Sequence, residues 1–101
     1  YYQGSSVGQN YAEAAKWFRK SAQQGFAMAQ FDLGVMYSSG KGVTQDDQQA
    51  YVWLSLAAQQ EKSAGASKAL DLAAKRLSTE ALAKAQKQAA KRFEEIKRKQ
   101  K

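Results

Sequence analysis

Slid against itself by 36 residues, the chain overlays a copy of its own pattern. Tyr1 falls on Tyr37, Gly4 on Gly40, Val7 on Val43, Gln9 on Gln45, Ala14 on Ala50, Trp17 on Trp53, Ala22 on Ala58, and Gln23-Gln24 on Gln59-Gln60. Nine identities over 25 ungapped positions are well beyond coincidence. A period of this length is that of a helix pair, whose apolar stripe is hidden only by stacking on a neighbouring copy. The pattern therefore predicts an all-α fold, an α-solenoid of antiparallel helix pairs. The chain has no proline and is rich in Ala, Gln, Lys and Leu, which agrees with helix throughout.

Local signals place the helices. One capped by Asn10 is expected to run to about Gln24 and to stop at Gly25 in a left-handed turn. Its inward stripe is Ala14, Trp17, Phe18, Ser21 and Ala22, and the stripe returns as Ala50, Trp53, Leu54, Ala57 and Ala58. The identical phase of Trp17 and Trp53 places both rings in the core, not on an aromatic ligand platform. Between them, a helix over about 27–39 turns Ala29, Leu33, Met36 and Tyr37 inward, with the Tyr37 hydroxyl toward the following turn. Gly34 in mid-helix costs about 1 kcal/mol relative to Ala. Close approach of the next helix would offset that cost, and Gly34→Leu is then expected to destabilise the fold by overpacking.

The run Gly40-Lys41-Gly42-Val43 is not a phosphate loop. Val35 stands where the first glycine belongs, and Lys41 is followed by glycine where the loop needs Ser or Thr. Its glycines are expected at positive φ in an interhelical turn, with Val43 plugging into the core and Asp46 capping the next helix. After Gln60 the register slips. Glu61 replaces the expected glycine and Gly65 is the next candidate terminator. Matching Gly25 to Gly65 and Ala29 to Ala69 needs a step of 40, so the helix begun at Asp46 is expected to run about one turn longer than its predecessor.

A helix over about 66–77 follows, with Ala69, Leu70, Ala73 and Leu77 as its burial candidates. Ser78 caps the last helix, which gathers Leu82, Ala85, Ala89, Phe93 and Ile96 into one arc and sets Lys84, Lys87, Lys91 and Arg98 opposite. The expected organisation is the second half of a repeat over 1–25, a full repeat over 26–61, a degenerate third unit over 62–77, and an amphipathic basic capping helix over 78–101.

In the full copy, Ala29, Leu33-Gly34, Tyr37, Gly40, Gly42-Val43, Asp46, Ala50, Trp53 and Ala57-Ala58 stand in fixed order, preceded by Ala14, Trp17, Ala22 and Gly25 in the earlier one. This pattern resembles the Sel-one-like repeat family, relatives of the tetratricopeptide repeats. Two positions depart from it: Thr44 stands where the family often has a turn proline, and Ser5-Ser6 replaces the second glycine of the first turn. Some exported members carry a disulfide in each repeat; this chain, without cysteine, is not of that kind.

The resemblance implies a protein-binding scaffold and makes the chain a fragment of a longer repeat protein. Tyr1 aligns with the end of a first helix, so the helix that would cover Trp17 and Phe18 is expected upstream. Left bare, that N-terminal face could drive self-association. By the same resemblance the first helix of each pair lines a concave groove. The partner-binding stripe is then Met28, Asp32, Val35 and Ser39, continued by Lys68, Leu72 and Lys75 in the next unit.

Composition sets the exclusions. With neither His nor Cys, the usual general base, nucleophile and metal ligands are missing, so the chain reads as a non-enzyme without cofactor, metal site or small-molecule substrate. Asp46 and Asp47 have no further oxygen ligands at loop spacing and read as caps. The longest mostly apolar run, Tyr51 to Ala58, is too short to span a bilayer.

Charge is concentrated at one end. Residues 1–61 hold four bases and five acids, whereas residues 62–101 hold twelve bases and four acids. The basic face of the last helix has three readings: a solvated capping face, a nucleic-acid surface, or a membrane-surface helix. No aromatic lies among its lysines to stack on bases, and the apolar arc, mostly Ala, is a weak membrane-insertion face, so a solvated face is preferred and an acidic protein comes second.

Overall fold

The computed structural model describes residues 7–61 and 64–99, with side chains from 11 to 61 and from 65 to 99. The comparisons made through Tyr1, Gly4 and Ser5-Ser6 lie outside the described residues. The described residues form five helices: α1 (Val7–Gln23), α2 (Ala27–Ser39), α3 (Asp47–Gln60), α4 (Ala64–Lys75) and α5 (Thr79–Lys99). Among the described residues there is no strand, and the fold is all-α.

Short-range chemistry sets most helix ends. After α1, Gly25 has φ 100°, its N–H donates to the Ala22 carbonyl (3.0 Å), and the Phe26 N–H donates to that of Ser21 (3.2 Å). This pair of bonds satisfies the last carbonyls of a helix closed by a left-handed glycine. Gly40 closes α2 in the same hand, at φ 76°. Asp46 opens α3 by accepting the Gln49 N–H at 3.1 Å, and the Ser78 hydroxyl opens α5 by accepting that of Ala81 at 3.1 Å. The start of α1 differs from expectation: the helix already runs from Val7, so Asn10 lies inside it and not at its start.

The junction between α3 and α4 also differs. α3 has 14 residues against 17 in α1, so it is not a turn longer. Glu61 ends it in an extended conformation, with its N–H still on the Ala57 carbonyl at 2.8 Å. α4 then starts at residue 64 where α2 started at 27, a step of 37, and ends at 75 where α2 ended at 39, a step of 36. The step of 40 is therefore wrong. Burial follows the shorter step, pairing buried Ala66 with Ala29 and buried Ala73 with Met36. Gly65 is no terminator: it lies in the first turn of α4, where an added β-carbon would meet nothing within 4 Å.

α3 is the centre of the molecule, buried on nearly every side through Ala50, Val52, Trp53, Leu54, Leu56 and Ala57. α2 runs antiparallel to it. The Asp46 N–H donates to the Tyr37 carbonyl at one end (3.0 Å), and Gln60 Nε2 donates to Gln30 Oε1 at the other (2.8 Å). The two helices cross closely at Gly34, where a β-carbon would stand 2.6 Å from Leu54 Cγ and 3.2 Å from the Ala50 carbonyl oxygen. Val43 is half-buried below this pair. Gly42, at φ 79°, lies so near the Tyr11 carbonyl that only a residue without a side chain fits.

α5 lays Ala85, Ala89 and Ile96 into the core beside Trp53, with Phe93 and Leu77 packed against it. Gln30, wholly buried, also donates from Nε2 to the Ala22 carbonyl at 3.1 Å, so one amide joins the end of α1, the start of α2 and the end of α3.

Two inward placements are corrected. Trp53 is 2 % exposed, but Trp17, at the same repeat position, is 65 % exposed with Lys20 Nζ 5.2 Å above its ring. The reason is position in the stack: α3 is covered by α2 and α5, whereas α1 has α2 on one side and no described helix on the other. In α1, Ala15 and Ala22 are buried, while Ala14, Phe18 and Ser21 are half-buried and Ala58, the copy of Ala22, is half-buried on α3. The Tyr37 hydroxyl does not point to the turn. It accepts a hydrogen bond from Arg19 Nη2 at 2.9 Å and so ties α2 to α1.

Candidate partner-binding face

α2 and α4 run side by side in one direction. At their N-terminal ends Ala27, Met28, Phe31, Gly65 and Ala66 meet Ala57 and Glu61 around a cleft of about 150 Å³. At their C-terminal ends Arg76 Nη1 donates to the Ser38 hydroxyl at 3.1 Å, while Arg76 Nε pairs with Asp47 at 3.5 Å. Asp47 also accepts from Gln45 Nε2 at 2.7 Å, so its carboxylate is held from two sides.

The seven residues chosen for partner contact lie on these two helices, with Met28 71 %, Leu72 55 % and Val35 42 % exposed. Lys68 and Lys75 are exposed as well, and Asp32 is half-buried. Ser39 is exposed, but its hydroxyl is turned back along the helix and donates to the Val35 carbonyl at 3.0 Å. With the true step of 37, Val35 and Leu72 occupy equivalent positions on α2 and α4. Lys68 and Lys75 are equivalent to Phe31 and Ser38, so the seven do not form one repeated stripe.

Electrostatics single out Asp32. Burial raises its carboxyl above the usual value of 3.8. Among the described residues no donor or cation compensates it.

Sequence reasoning missed four residues of this region: Phe26, which is 61 % exposed just before α2, and Phe31, Glu61 and Arg76. A signal existed for Phe31, since it lies one turn from Met28 and Val35. None existed for Arg76, whose role depends on where α4 comes to rest.

The Sel1 repeat family model matches residues 1–26 and 27–62. No curated protein and no solved structure matches the chain. No helix among the described residues is long and apolar enough to cross a membrane.

Proposed function

The chain belongs to the Sel1 repeat family, whose members are generally protein-interaction scaffolds, and from that premise we propose that it is a non-catalytic scaffold holding a peptide or helix of a protein partner across α2 and α4. One observation carries this reading. Outside α1, every large apolar side chain left exposed among the described residues (Phe26, Met28, Val35 and Leu72) belongs to α2, α4 or the residue leading into α2. Apolar groups that contribute nothing to the core are the usual material of a recognition surface, and methionine adapts to varied partners. The desolvated Asp32 carboxylate beside them favours a partner that brings a cation or a hydroxyl donor, because such a group relieves the cost of its burial.

Selection of binders from a displayed peptide library, followed by titration on the purified chain, tests the reading. Val35→Glu and Leu72→Glu are expected to weaken a selected peptide roughly tenfold or more each with only a small change in melting temperature, since both side chains are partly exposed. Lys87→Glu on α5 should leave the affinity unaltered. Peptides that are insensitive to both α2 and α4 substitutions would sink the proposal.

A further inference from the structure

A second cleft, of about 220 Å³, lies between α3 and α5, lined by Gln49, Val52, Gln88, Lys91, Arg92 and Glu95. We propose that it is a carboxylate site for an acidic segment of a protein partner, anchored by Arg92. The site shares no residue with the α2/α4 face and stands independently of it.

Arg92 is half-buried, with its guanidinium Cζ 4.9 Å from the centroid of the Trp53 ring. An arginine laid on an indole is held in place, so its planar fork is oriented before any ligand arrives. No carboxylate among the described residues answers its charge: the ion pairs there are Lys16 with Glu13 and Arg76 with Asp47. Glu95 lines the same cleft without pairing to Arg92 or Lys91. A carboxylate entering here meets a fixed guanidinium, which takes both its oxygens at once, with the Lys91 ammonium beside it. The Gln49 and Gln88 amides each offer a donor and an acceptor, the two functions a peptide backbone needs. Farther out, Lys84, Lys87 and Arg98 stand exposed on the same helix and draw an acidic chain toward the cleft.

The geometry favours a protein over a nucleic acid. Trp53 is covered, and half-buried Phe93 lies beneath Lys97 Nζ at 5.7 Å from its centroid, so no bare ring beside the cleft is free to stack on a base.

Trp17 and Trp53 are the chain's two tryptophans, so Trp17→Phe leaves the indole under Arg92 as the reporter. A short peptide of alternating Glu and Ala is titrated against this chain, with alternating Gln and Ala as control and oligouridylate RNA as competitor. The acidic peptide is expected to change Trp53 emission saturably and to bind more weakly as salt rises. Arg92→Met keeps a flexible cover over the indole and removes the charge; roughly tenfold weaker binding is expected. Lys91→Glu, at an exposed position where folding is not at stake, should weaken binding as well, and Val35→Glu should not. Equal response to the two peptides, unchanged binding in Lys91→Glu, or tighter binding of the RNA than of the acidic peptide each overturns the proposal.

Discussion

Gly34 lets α2 and α3 cross at a distance that a β-carbon would forbid, with Leu54 Cγ 2.6 Å from where that carbon would stand. Leu54 is buried, so the χ1 change that would move Cγ aside meets packed neighbours, and Gly34→Ala is expected to push the helices apart. Overpacking of this kind costs about 1–3 kcal/mol, and the better helix propensity of alanine returns about 1. A net loss of up to about 2 kcal/mol is expected, read by circular dichroism as a lower melting temperature. An unchanged melting temperature would mean that the crossing is looser than its geometry indicates. The sequence points to this contact, because glycine in mid-helix on the apolar stripe weakens the helix unless a neighbouring backbone needs the space. Gln30 was equally open to inference, three and four residues before Leu33 and Gly34 on the same stripe. Its polarity hid it, since its two partners are helix ends that meet only in the folded chain.

The five helices differ in how clearly their ends are written. Where one residue supplies the terminating chemistry, as Gly25, Gly40, Asp46 and Ser78 do, the boundary was legible within a residue or two. The junction after Gln60 has no such residue, and pairing glycine with glycine misplaced it by several positions. Gly65 consequently lies in α4 with no close approach and no positive φ to require it. Gly65→Ala is therefore expected to stabilise the chain by about 0.5–1 kcal/mol, through helix propensity and a less disordered unfolded state. Chemical denaturation measures this as a higher midpoint at constant slope. A lower midpoint would return Gly65 to the role of a terminator.

Across the molecule, two tryptophans identical in repeat position have opposite environments. Trp17→Gln is expected to change stability by less than about 0.5 kcal/mol, as for an exposed site, whereas Trp53→Ala should cost about 3–5 kcal/mol. Paired thermal melts decide this, and equal losses would show that the open face of α1 is covered in solution. Periodicity alone cannot distinguish the two rings, because it reports which side of a helix is apolar and not whether anything lies against it. The same limit applies to the partner face. The helices that carry Met28, Val35 and Leu72 are legible in the sequence, but the offset between α2 and α4 depends on the junction that glycine pairing misplaces. The buried amide of Gln30 bears on how such an array comes apart. Peeling α1 away would strip it of the Ala22 carbonyl, and fraying of α3 would remove the Gln60 amide. Either departure leaves a dry hydrogen-bonding group with nothing to hold, a penalty that falls all at once. Adjacent units joined in this way tend to melt as a single block, and a chain of them gains cooperativity beyond what its apolar contacts alone confer.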